Sequence, residues 1–205
     1  MKRRTLDLFF SIGGVGIALL LLVLAIVFKQ EGDFADNYVR EQFAQQQIYF
    51  TPADSLTEEE AKFDCLVKYG QGDEAARLLD TGKKAECYAN HYIGLHVEQI
   101  GGGLTYAQLG GPENEVKAKI AEAEDEGKDT TELQAELKKV QGQRETVFKG
   151  ETLRGVLLTA YGFSVLGTKA ALAATVAFVG AALMALLSIA GFIHYAKTPE
   201  SELID

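Results

Sequence analysis

Residues 87 to 111, CYANHYIGLHVEQIGGGLTYAQLGG, hold Cys87, His91, His96 and Glu98 in one short run, and the chain's other cysteine, Cys65, lies 22 positions earlier. Residues of these types serve as metal ligands, nucleophiles and disulfide partners, so the spacing must decide among them. On an α-helix His91 and His96 stand about 140° apart, and His91 and Glu98 share a face but lie about 10 Å apart along the axis. This spacing forms no His-His-carboxylate face, and satisfied or surface histidines are the favoured reading. The competing metal reading joins Cys65, Cys87 and His91, one helical turn from Cys87, but offers no evident fourth ligand. A Cys65–Cys87 disulfide is the stronger expectation, provided the segment lies in an oxidising compartment. Closing a loop of that size contributes about 3 kcal/mol on the chain-entropy model.

Other chemistries lack their patterns. Gly101 to Gly103 follow a helical run rather than a strand, with no Lys-Ser or Lys-Thr in Walker spacing, and read as a helix C-cap and tight turn. There is no G-x-S-x-G, and His194 sits far along the chain from the other two histidines. Carboxylates are many, but none is confined to an apolar run that would raise its pKa. The sequence therefore assigns no catalytic, cofactor-binding or metal residues and no cofactor.

Two apolar stretches must position this polar middle. Leu8 to Phe28 carries no charge over 21 residues, enough for about 30 Å of helix and a bilayer's hydrocarbon core. Lys2, Arg3 and Arg4 also fit the start of a cleaved signal peptide, but the apolar run is long for one and no convincing A-x-A site follows, so a retained anchor is expected. Ala170 to Ala196, between Lys169 and Lys197, reads as a second span. Ala173, Ala177, Ala181 and Ala185 fall four apart, and Gly14 with Ala18 forms a small-xxx-small pair. Such faces let helices approach closely in lipid, and they are the expected packing surface between the spans or onto another subunit.

The basic triplet before the first span, against Lys29 alone just after it, places both termini in the cytoplasm and the middle outside the plasma membrane. From Gln30 to Val165 there are 25 Asp and Glu against 14 Lys and Arg, so this region carries −11 within a chain of −9. A surface so acidic, with no basic stripe, argues against nucleic-acid binding.

The fold class expected is all-α: two transmembrane helices flanking a small helical extracytoplasmic domain with a protruding helical hairpin. The boundaries are a cytoplasmic N-terminus at 1–7, spans at 8–28 and 170–196, the helical domain at 29–111, a charged hairpin at 112–150, an interfacial helix at 151–169 and a cytoplasmic tail at 197–205. Within the domain, Ser55 with Glu58 has the form of a capping box, Gly70 ends the helix that follows, and LTYAQLGGP reads as one turn closed by glycine and proline. Asp129 with Glu132 caps the hairpin's second helix. Gly162 and Gly167 are expected hinges where the interfacial helix bends into the second span.

The stretches YANHYIGLHVEQIGGGLTYAQL and RETVFKGETLRGVLLTAYGF, followed by the Ala-rich span, resemble a group of uncharacterised actinobacterial two-span membrane proteins. Some of these carry the label of aromatic ring-opening dioxygenase, LigA-like. The resemblance covers about Cys87 to Ala196, implies the same two-span topology and brings no active-site residues onto this chain. The function expected from the residues is a non-catalytic accessory or scaffold subunit of a larger envelope or respiratory membrane assembly, with the lipid bilayer and other membrane subunits as partners. An extracytoplasmic sensor or small-ligand-binding module is the alternative, and a metalloenzyme the third.

Overall fold

A computed structural model describes residues 2–202, and it is all-helical: no strand occurs among these residues, and an isolated antiparallel bridge joins Tyr49 to Leu78. The helices are α1 (Arg3–Gln46), α2 (Asp64–Tyr69), α3 (Glu74–Arg77), α4 (Gly82–Cys87), α5 (Gly94–Gly101), α6 (Gly110–Asp125) and α7 (Thr131–Lys197). Short 3-10 turns occupy Ala53–Ser55 and Glu60–Lys62, and a π-helical turn, Tyr88–Ile93, joins α4 to α5. The chain divides into two compact units, one formed by its two ends, through Tyr38 and from Ser164, and the other by residues 39–163.

In the unit formed by the ends, α1 and α7 each contain a stretch long and apolar enough to cross a membrane. Only 22% and 11% of these stretches is buried within the chain, far too little for core helices of a water-soluble protein. The large side chains face outward: Phe9 is 74% exposed and Leu172, Val176 and Leu187 65% each. What is buried is small. Ser11, Ala18, Ala25 and Gly32 recur every seven residues on α1, and Gly167, Ala174, Ala181 and Ser188 do so on α7. This is the period of two helices coiled about each other with a constant face inward.

The register is antiparallel. A Cβ on Gly14 would meet Ser188, one on Gly191 would meet Ser11, and one on Gly167 would stand 2.6 Å from the Ala35 Cβ. The Ser11 and Ser188 hydroxyls donate to the carbonyls of Asp7 and Met184 on their own helices, so neither hydroxyl enters the seam unsatisfied. At one end Arg3 pairs with Glu202, Arg4 with Glu200 and His194 with Asp7.

The seam differs from the ladder of alanines four apart. Ala181 is buried, as are Gly14 and Ala18, while Ala173, Ala177 and Ala185 are half-buried and Ala174 takes the inward position. A step of four residues overshoots the 3.6-residue turn by about 40°, so such a ladder winds off the contact within two turns, whereas steps of seven stay on it.

A separate interfacial helix over 151–169 is likewise absent. Residues Thr131–Lys197 form one continuous helix, without a break at Gly162 or Gly167. Gly162 faces open space, and Gly167 serves the close approach to Ala35 rather than a hinge. The first helix also outlasts its apolar stretch, running on through polar residues to Gln46.

The unit of residues 39–163 has its own core, built on Phe43, Phe50, Leu66, Leu79, Ala89, Ile93, Val147 and Leu157. The short helices α3 and α4 carry side-chain caps. Asp73 accepts from the Ala76 amide and Thr81 from the Lys84 amide. The capping box sits two residues beyond Ser55 and Glu58: the Thr57 amide donates to Glu60 at 2.8 Å, and the Glu60 amide to the Thr57 hydroxyl at 3.2 Å. Ser55 instead turns to Asp54. Gly70 does end α2.

Gly110, Gly111 and Pro112, expected to close a turn, open α6, where proline's missing amide goes unneeded in the first helical turn. Asp129 accepts from both the amide and the hydroxyl of Thr131 and so starts α7.

Candidate functional site

The segment with most of the chemistry-bearing residues folds as one continuous helical run, α4 and α5 joined by the π turn. Cys87 ends α4, and its Sγ stands 2.00 Å from that of Cys65 on α2, at disulfide distance. The bridge ties α2 to the start of the π turn. Lengthening a turn this way displaces one residue's register, so α-helical angles do not carry through from His91 to His96. The two histidines go to different partners. His91 stacks on Phe63 with ring centroids 4.6 Å apart, whereas His96 bonds the Tyr92 carbonyl through Nδ1 and approaches Glu60 at 3.5 Å through Nε2.

The π turn is braced from outside. The Ala89 carbonyl accepts the long-turn bond from the Gly94 amide and a second bond, 3.1 Å, from Nε of Arg154 on α7. The Arg154 Nη1 is fixed by both carboxylate oxygens of Glu151, at 2.8 and 3.0 Å. A Cβ on Gly94 would lie 3.5 Å from Arg154 Nε, so anything larger than alanine there would displace the guanidinium.

Against this brace lies a cleft of about 290 Å3. Asn90, His91 and Glu98 line it from the helical run, Phe63 from the turn before α2, Leu104 and Thr105 from the loop after α5, and Glu151 with Arg154 from α7. The loop is set by Gly102 and Gly103, whose φ of 60° and 79° let the chain reverse at the end of α5. The aromatic side of the same helix points the other way. Tyr88, between Phe50 and Tyr92, has its hydroxyl pushed up to about 12, by burial first and then by Tyr92.

A second polar knot joins α6 to α7. The Glu113 side chain is 8% exposed and lies 2.6 Å from Lys117 Nζ, 2.7 Å from Arg144 Nη1 and 3.3 Å from Gln141 Nε2. The hydrogen bonds from Lys117, Arg144 and Gln141, in that order of weight, hold its carboxyl down to about 2. Arg144 also lies over the Tyr106 ring at 4.5 Å. This knot fastens helices together and offers no reactive group.

Among the described residues no three His, Cys, Asp or Glu side chains gather closely enough to hold a metal ion. The candidate residues of the sequence thus fall into two groups. Cys65 and Cys87 are brought together, and the alanines and glycine of the packing face lie at or beside the helix seam. Phe63, Glu151 and Arg154 escaped the sequence reading, because only the fold brings them to His91; the local signal for Arg154 was Glu151 three residues before it. Comparison with known proteins finds no family model, no curated protein and no solved structure that matches this chain.

Proposed function

We propose that the protein is a two-span plasma-membrane protein with cytoplasmic termini and an extracytoplasmic helical domain, acting as a non-catalytic accessory or scaffold subunit of a larger membrane assembly. The observation that carries this reading is the outward face of α7 within the domain. Gly155 to Phe163 holds no charged residue, yet Val156 is 59% and Phe163 41% exposed. The bilayer is already spanned by Ala170 to Ala196, so this additional apolar face calls for protein to cover it. The small side chains of Gly155, Thr159 and Gly162 beside it suit close approach by another helix.

The charged α6–α7 pair would then stand out from the membrane as a protruding helical hairpin. Extraction in mild detergent, native sizing and identification of co-purifying subunits test the reading. Discrete complexes that dissociate on Val156→Glu and Phe163→Glu are expected. A wild-type chain that migrates alone overturns it. Orientation is tested separately with a membrane-impermeant maleimide on intact cells: labelling of Cys65 and Cys87 is expected only after reduction.

A second reading, an extracytoplasmic sensor or small-ligand-binding module, is favoured by the cleft beside the π turn, where several polar side chains converge on a cavity bounded by apolar ones.

A further inference from the structure

The charges around the cleft do not cancel. Glu98 and Glu151 supply two carboxylates and Arg154 one guanidinium. The guanidinium is already committed, to Glu151 through Nη1 and to the Ala89 carbonyl through Nε. The Glu98 carboxylate, by contrast, forms no hydrogen bond or ion pair with any described residue, and the same holds for the Asn90 side-chain amide. Glu98 and Asn90, with these side chains unshared, therefore line a cavity whose walls also include the stacked Phe63–His91 pair, Leu95, Val97 and Leu104. An anion entering here would meet Glu98 and Glu151 with the only cation occupied; a cation would meet an unshared carboxylate. A bare metal ion finds too few ligands, since no cluster of three is present among the described residues.

We propose that this cleft binds a small organic cation, a primary ammonium on a short hydrocarbon, with the ammonium on Glu98 and Asn90 and the hydrocarbon against Phe63, Leu95 and Leu104. The volume of about 290 Å3 sits at the small end of ligand sites and suits a molecule of few heavy atoms. An ammonium supplies three donors, which the Glu98 carboxylate and the Asn90 amide oxygen accept, and aromatic faces favour a cation beside them. The apolar wall distinguishes such a ligand from ammonium itself. The proposal rests on the ligand-binding reading and is independent of the accessory-subunit one.

The test uses the full chain in nanodiscs of zwitterionic lipid, titrated calorimetrically with n-butylammonium, methylammonium and butyrate, with empty nanodiscs as the blank. Saturable one-to-one binding of butylammonium is expected, with methylammonium at least tenfold weaker and butyrate inert. Glu98→Gln should weaken butylammonium at least tenfold. Glu98 is an exposed residue of α5 without a partner, so the fold should survive, which far-UV circular dichroism checks; Leu104→Trp, which fills the cleft, supplies a second block. Butyrate binding in place of butylammonium overturns the cationic class while leaving a ligand site. Binding of neither probe overturns both the proposal and the ligand-binding reading. Butylammonium binding that is indifferent to both substitutions overturns the location.

Discussion

Glu113 is the residue whose chemistry is most directly exposed to experiment. Its carboxyl is held down to about 2 in the folded chain, against about 4.3 for a free glutamate. A depressed folded pKa contributes stability that is fully present above the unfolded value and is lost as pH falls through the folded one. The contact between α6 and α7 should therefore weaken between about pH 4.5 and pH 2, seen as falling amide protection factors, corrected for intrinsic exchange, at Val116 and Val140. Glu113→Gln should remove that component and flatten the change in protection factor over the same window. The cysteine pair makes a second residue-scale prediction. Reducing Cys65–Cys87, or replacing both by serine, should destabilise the domain by about 3 kcal/mol in urea melts of the nanodisc-held protein. Much of this was readable from spacing alone, since the chain's two cysteines have each other as partners. The brace was not. Arg154 and Ala89 lie 65 positions apart, and no local pattern announces that an arginine will cap the odd carbonyl of a π turn.

The helices obey a rule of fit in which side-chain size is set by the facing element. Val97 on α5 packs onto α7 at Gly150, where a Cβ would come within 2.3 Å of a valine methyl. Gly155, five residues on, faces open space. Gly150→Ala should cost about 1–3 kcal/mol by overpacking against a stiff β-branched neighbour. Gly155→Ala should gain about 0.5–1 kcal/mol, because alanine is the better helix former where nothing obstructs it. Urea melts of the two variants side by side check the pair. Element boundaries were the part that sequence reading placed worst, for identifiable reasons. Ser55 with Glu58 and Thr57 with Glu60 have the same pattern, and burial of Glu60, 5% exposed, selects the second. The polar residues after Phe28 suggested an end to α1, yet the helix runs on to Gln46, with Val39 and Phe43 in the core of residues 39–163.

At the scale of the molecule, the two apolar stretches were legible because absence of charge over a bilayer's thickness is a signal that needs no tertiary context. Their mutual packing was legible only in kind. Small residues were expected at the contact, but the four-residue spacing of the alanines masked the seven-residue repeat that the helices follow. Gly167→Leu should separate the helices where Ala35 now touches, and Gly13→Leu, at a position with nothing within 4 Å, should be tolerated. Resistance to proteolysis in nanodiscs distinguishes them, with the Gly167 variant cut faster.

The hydroxyl and glycine seam has a consequence for how this chain can vary. Within residues 8–28 and 170–196 the outward positions ask only for hydrocarbon, so leucine, valine, isoleucine and phenylalanine are interchangeable there, while the buried ones hold nothing bulkier than serine or alanine. Saturation mutagenesis of residues 8–28 and 170–196 should give a tolerance map that pulses about twice every seven residues, in antiphase with side-chain volume. Two sequences alike in this rhythm could differ at nearly every lipid-facing letter and still close the same pair of helices.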